Sequence, residues 1–151
     1  MSTATYATDT KQDQSAIFSL IEGMAKAHHD NDARAFAAAY GADAVIFNLA
    51  PPLVHHGVDI AEKQAWLDSW EGPIVIEAKD FQITVAGDTA FGHGYMRMTG
   101  KKKGADQGVS FWMRETVCLE RGDGGWRIVH EHASVPFYMD GTLRPAFDLQ
   151  P

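Results

Sequence analysis

The sequence predicts an α+β fold in which helices come first and an antiparallel meander follows. Three observations carry that reading. Apolar residues recur at three- and four-residue spacing in the first part of the chain. After Gly72-Pro73 the texture turns β-branched and aromatic. Glycine-rich turns then divide that second part into separate runs. A chain of 151 residues suits one domain with a real core, placed here at 13–137 between a loose N-terminus (1–12) and a C-terminal tail (138–151).

The first helix is expected over 13–29, where Ile17, Leu20, Ile21, Met24 and His28 form an amphipathic stripe. The Asp30-Asn31-Asp32 run supplies caps for a shorter helix carrying Phe36, Ala39 and Tyr40, which Gly41 ends. "AVIFN" (44–48) reads as a short strand, and "LAPPLVHHG" (49–57) as a proline-punctuated connection. Helical spacing returns over 58–70 through Ile60, Gln64, Leu67 and the nearby Trp66 and Trp70. Four strands are then expected near 74–86, 89–99, 109–120 and 126–135. They are separated by Gly87-Asp88, the Lys/Gly loop 100–108 and the 122–125 turn.

Composition narrows the partners. A formal net charge of −7 argues against nucleic acid or an anionic membrane, and Lys101, Lys102 and Lys103, set between glycines, read as a solvated turn. The one cysteine, Cys118, excludes an internal disulfide framework and reads as an inert thiol inside a strand. The opening residues lack the basic start and apolar core of a leader, and no window has the roughly 18 apolar residues of a membrane span. A cytoplasmic protein is expected.

Alternation along the strands raises candidate site residues. In "GGWRIVHEHASVPF", Trp126, Ile128, His130, His132 and Ser134 share one face, while Glu131 and Ala133 share the other. In "AFGHGYMRMTG", Phe91, His93, Tyr95 and Arg97 oppose Gly92, Gly94, Met96 and Met98; the first set would suit a pocket that orients a polar substrate. In "SFWMRETVCLE", Glu115 lies among Phe111, Met113, Val117 and Leu119. A carboxyl in that company must be paired or partly neutral, which marks Glu115 and Glu131 as candidate general acids or bases. His28-His29, His55-His56 and the His130/His132 pair lack the spacing of a closed metal site, so neither metal nor cofactor is expected.

"YGADAVIFN", then "PPLVHHG" before a helix, then "WRIVHEHAS" resembles the SnoaL-like and ketosteroid-isomerase-like branch of the nuclear-transport-factor-2-like superfamily, over roughly residues 13–137. The resemblance implies a curved antiparallel sheet wrapped around helices, a cone with an apolar pocket, and a homodimer through the outer sheet face. The last strand is also similar to that of the calcium/calmodulin-dependent kinase II association domain. That likeness implies that Glu131 points into the cone, with Trp126, Ile128, His130 and His132 outward, and that Arg97 points inward. Asn48 and Met24 fall where the isomerase branch carries its catalytic aspartate and oxyanion tyrosine, so steroid isomerisation is not expected. The implied function is binding of a small apolar molecule with a polar group, with acid–base chemistry of an isomerase, cyclase or lyase. Glu131, Glu115 and Asn48 are the candidate catalytic residues. Arg97, Tyr95, His93, Met24, Met113 and Trp66 would contact the substrate. The alternatives are an epoxide-hydrolase-like set of Asn48, Arg97 and Glu131, or a non-catalytic binding or oligomerisation module.

Overall fold

The computed structural model describes residues 3–151, with side chains from position 10 onward. Helix α1 (Thr3–His29) begins ten residues before the expected start, so the backbone of the stretch read as a loose terminus is helical from Thr3. Helix α2 (Ala33–Ala37) is capped by Asp32, whose carboxylate accepts the Ala35 N–H at 2.9 Å. It ends before Tyr40, which opens strand β1 (Tyr40–Phe47) instead of closing the helix as expected. The reason is a sheet bond: the Ile128 N–H reaches the Ala39 carbonyl at 2.9 Å and draws the chain into the ladder. Strand β2 is His55–His56, and helix α3 (Ile60–Asp68) is capped by Asp59. Strands β3 (Val75–Ala86), β4 (Thr89–Gly100), β5 (Val109–Gly122) and β6 (Gly125–Ser134) match the expected four within two residues at each end.

The sheet order is β2-β1-β6-β5-β4-β3, and β3 to β6 form the expected antiparallel meander. One pairing departs from the antiparallel expectation. β1 runs parallel to β6, which makes the sheet mixed. Nothing forbids this, because β1 and β6 are joined by most of the chain and not by a hairpin.

Two irregularities set which residues face the helices. Between Lys79 and Gln82 the β3/β4 register shifts, and Phe81 lies across two glycines of β4. A Cβ at Gly92 would stand 2.7 Å from a Phe81 ring carbon, and one at Gly94 would stand 2.7 Å from the Phe81 Cα. Only glycine admits that approach. In β6, Cys118 pairs with His130 and Leu119 with Ile128, so Val129 is a bulge that resets the alternation. Trp126 and Ile128 before it, and Glu131 and Ala133 after it, therefore share the inner face. The expectation that Trp126 and Ile128 face outward is wrong: they are 5% and 0% exposed and belong to the core. His130 and His132 do face outward, where both contact the Phe47 ring.

One core lies between the inner sheet face and the helices, built from Ile17, Ile21 and Met24 of α1, Phe36 of α2, Leu67 of α3 and the alternate residues of the strands. Asp13 pins α1 to the β5–β6 hairpin by accepting from Trp126 Nε1 at 3.0 Å and Arg121 Nη1 at 2.5 Å. The tail folds back on itself, with Phe137 bridging Pro145, and reaches the outer face where Trp112 Nε1 donates to Gln150 at 3.0 Å. Among the described residues, no helix is long and apolar enough to cross a membrane.

Candidate functional site

The inner face carries two acids. Pairing of Val117 with Glu131 and of Glu115 with Ala133 sets Glu115 and Glu131 on one side of neighbouring strands, as diagonal neighbours. Both are half-buried in a wall of Val117, Met113, Ala133 and Ile46. The Tyr40 hydroxyl donates to Glu131 Oε2, while no hydrogen-bond donor among the described residues reaches the Glu115 carboxyl. Burial pushes Glu115 well above the ordinary carboxylate range, and the charge of Glu131 beside it adds to the rise. Burial raises Glu131 as well, opposed by the Tyr40 hydrogen bond and then by the charge of Lys63. The asymmetry of donors orders the pair: the Tyr40 hydrogen bond favours charge on Glu131, and the want of a donor among the described residues favours the proton on Glu115. Burial also drives the Tyr40 phenol well above its usual value, so it is a donor at neutral pH.

A second pair approaches from the helices. Lys63 of α3 places its ammonium 4.0 Å over the Phe36 ring, 4.3 Å over Trp66, and 3.0 Å from His28 Nε2. The His28 Nδ1–H donates to the Met24 carbonyl at 2.9 Å, one helical turn earlier, which leaves Nε2 as the acceptor facing Lys63. Burial, then Lys63, bring the His28 pKa down to about 4. Burial lowers Lys63 to about 8, against the pull of the Glu131 anion. Among the described residues, sheet and helices thus bring Glu115, Glu131, Tyr40, His28 and Lys63 into the interior, each shifted by burial.

Three of these were not singled out from the sequence as site residues. His28 lay on the apolar stripe of α1, and its position four residues after Met24 was the available signal. Tyr40 was assigned to a helix. Lys63 had no signal, since a lone lysine in a helical run is ordinarily solvated.

Other expected site residues lie elsewhere. Arg97, Tyr95 and His93 are on the outer face, because Met96 and Met98 pair inward with Met113 and Phe111. Arg97 binds Glu77, its cross-strand partner, through Nε at 2.8 Å and Nη2 at 2.5 Å, and stacks over Trp112 at 5.3 Å. Expecting Arg97 near Glu131 is therefore incorrect, and β5 lies between their strands. Asn48 is exposed beyond the end of β1, with its side-chain oxygen accepting the Leu49 N–H at 2.8 Å. The Asn48–Arg97–Glu131 set does not assemble. Met24, Met113 and Trp66 do line the interior. Two surface clefts lie apart from the acids: about 640 Å³ beside Asn31 and Gln64, and about 420 Å³ within the tail beside Tyr138 and Arg144.

Helices resting on a curved sheet, with acids facing inward, define a known class. Residues 17–138 match the SnoaL-like domain, and the chain belongs to that family. A nuclear-transport-factor-2-like protein of unknown function from Pseudomonas putida KT2440 is 33% identical, with a TM-score of 0.82 over 94% of this chain and 99% of that one. A putative scytalone dehydratase from Novosphingobium aromaticivorans is 15% identical, with a TM-score of 0.73 over 91% of this chain and 94% of its own. A putative aromatic ring hydroxylase from the same species is 22% identical, with a TM-score of 0.69 over 82% of this chain and 88% of that chain. These last two share the fold alone. No curated protein matches the chain.

Proposed function

We propose that the protein binds a small, largely apolar molecule between sheet and helices and moves a proton on it, as an isomerase, cyclase or lyase does. The observation that carries this reading is the unequal pair of glutamates, one served by Tyr40 and one with no donor among the described residues. Glu131, as the anion, takes a proton from carbon. Glu115, as the neutral acid, donates to the ligand oxygen on which charge develops. A buried carboxylic acid is suited to that task, since it adds a hydrogen bond without adding a second negative charge. The names dehydratase and hydroxylase, borne by two proteins of the same fold, fit chemistry on cyclic or aromatic substrates. Steroid isomerisation is not proposed, because Asn48 lies outside the interior.

The test is deuterium exchange by NMR. A panel of cyclic ketones and hydroxyketones in D₂O should include at least one that the protein exchanges beside the carbonyl, and Glu131→Gln should abolish that exchange. Native mass spectrometry of freshly purified protein checks for a retained ligand. Exchange that Glu131→Gln leaves unchanged would refute the assignment.

A homodimer through the outer face belongs to the same proposal. Phe91 (48% exposed), Tyr95 (38%) and Val75 (39%) leave apolar surface spread along that face. Phe91→Asp should shift sedimentation towards the monomer; a wild-type monomer at micromolar concentration would refute it. Half-buried Cys118, alone of its kind, supports an intracellular place.

A further inference from the structure

The proton-transfer reading leaves Lys63 without a task. A lysine on a helix ordinarily lets its ammonium reach water, yet this one turns inward over two aromatic rings and ends 3.0 Å from an imidazole nitrogen. The charge of Glu131 also acts on it through the interior. An anionic ligand would meet the charge of Glu131, and a cationic one the charge of Lys63. A neutral ligand upsets neither balance. The helices thus bring an amine, a proton acceptor and apolar walls to one place.

We propose that Lys63 is a nucleophilic amine that captures the carbonyl carbon of a small uncharged aldehyde or ketone as an imine. This rests on the reading above that the interior receives a small molecule, and it names the substrate class. The lone pair on Lys63 Nζ attacks the carbonyl carbon, and the C=O π pair passes to oxygen. His28 Nε2, open because Nδ1 is committed to the Met24 carbonyl, takes the proton released from the nitrogen. His28 then passes that proton to the oxygen, which gives the neutral carbinolamine. The remaining N–H proton of the carbinolamine passes through His28 to the hydroxyl, the C–O bond breaks as water leaves, and the nitrogen lone pair forms C=N; amine plus carbonyl gives imine plus water, with no external oxidant or reductant. Desolvation supports the step, since it brings Lys63 to about 8 and so supplies unprotonated amine near neutral pH. Once formed, the imine draws electrons from the adjacent carbon, and Glu131 is the base already placed on the inner face for that C–H.

The experiment is reductive trapping on the full chain. Benzaldehyde and cyclohexanone serve as probes at neutral pH with cyanoborohydride, read by intact mass and peptide mapping. Lys63 should label at least about tenfold faster than exposed Lys26, Lys79 or Lys103, because far more of its amine is unprotonated. The preference should vanish in urea. His28→Gln should slow labelling of Lys63 and leave the exposed lysines unchanged, and Lys63→Arg should remove the fast site while circular dichroism shows the fold intact. Labelling of Lys63 no faster than of the exposed lysines would overturn the proposal. If Glu131-dependent exchange persists in that case, only the covalent step is wrong. If Lys63 labels fast and exchange is absent, the imine stands and the proton-transfer reading fails.

Discussion

His28 makes the fold sensitive to acid in a way that can be worked out from its surroundings. Its ring stands edge-on to Phe36 with centroids 4.9 Å apart and to Trp66 at 6.0 Å, and both nitrogens are engaged. A proton on Nε2 would be buried and would face the Lys63 ammonium, which is why the folded pKa is about 4 against 6.5 for the free ring. The folded value is depressed, so the stability it contributes is complete above the unfolded pKa and is lost as pH falls towards the folded one. The whole difference corresponds to about 3 kcal/mol, and about 2 kcal/mol is already lost at about pH 5. Glu115 and Glu131 work in the opposite sense: their folded values are raised, so their contribution is present at low pH and lost as pH rises through those values. Lys63 keeps most of its charge across this window, so its contribution changes little there. Urea unfolding between about pH 7.5 and pH 5 should therefore show His28→Gln losing less stability than wild type by about 2 kcal/mol. NMR titration of the His28 ring checks the cause directly. A ring that titrates near 6.5, or parallel stability curves for the two proteins, would refute the buried neutral imidazole.

Removing the donor in Tyr40→Phe should cost about 1–3 kcal/mol, because Glu131 is left buried with one partner fewer; chemical denaturation measures it. Arg97→Met should change stability by no more than about 1 kcal/mol, since the Glu77 pair is on the surface; a loss of several kcal/mol would return Arg97 to the interior. Gly94→Ala should destabilise by about 1–3 kcal/mol because its Cβ meets the Phe81 backbone. Gly23→Ala, in open space on α1, should stabilise by about 0.5–1 kcal/mol. Thermal melts of the two glycine variants would display the opposite signs side by side.

Much of this was written locally in the chain. Turn glycines and alternating apolar residues marked β3 to β6 within two residues at each end, because both signals act over a few positions. The alternation also showed that Glu115 shares a face with Met113 and Val117, and an acid among such neighbours has to be perturbed wherever the strand lies. Period-two alternation separates two faces but does not say which one meets the helices. For β4 the methionines were the better guide: Met96 and Met98 pack inward, and Arg97 finds water and Glu77. In β6 the Val129 bulge changes the phase midway, so Trp126, Ile128 and Glu131 come to share one face despite their odd spacing. The candidate site rests on still longer reach. Tyr40 meets Glu131 across 91 positions and Lys63 meets His28 across 35, at contacts that exist only once the helices rest on the sheet. Sequence alone determined strands β3 to β6 and named the two acids. The tertiary packing decided which charges share the interior, because desolvation and pairing depend on neighbours that no local pattern records.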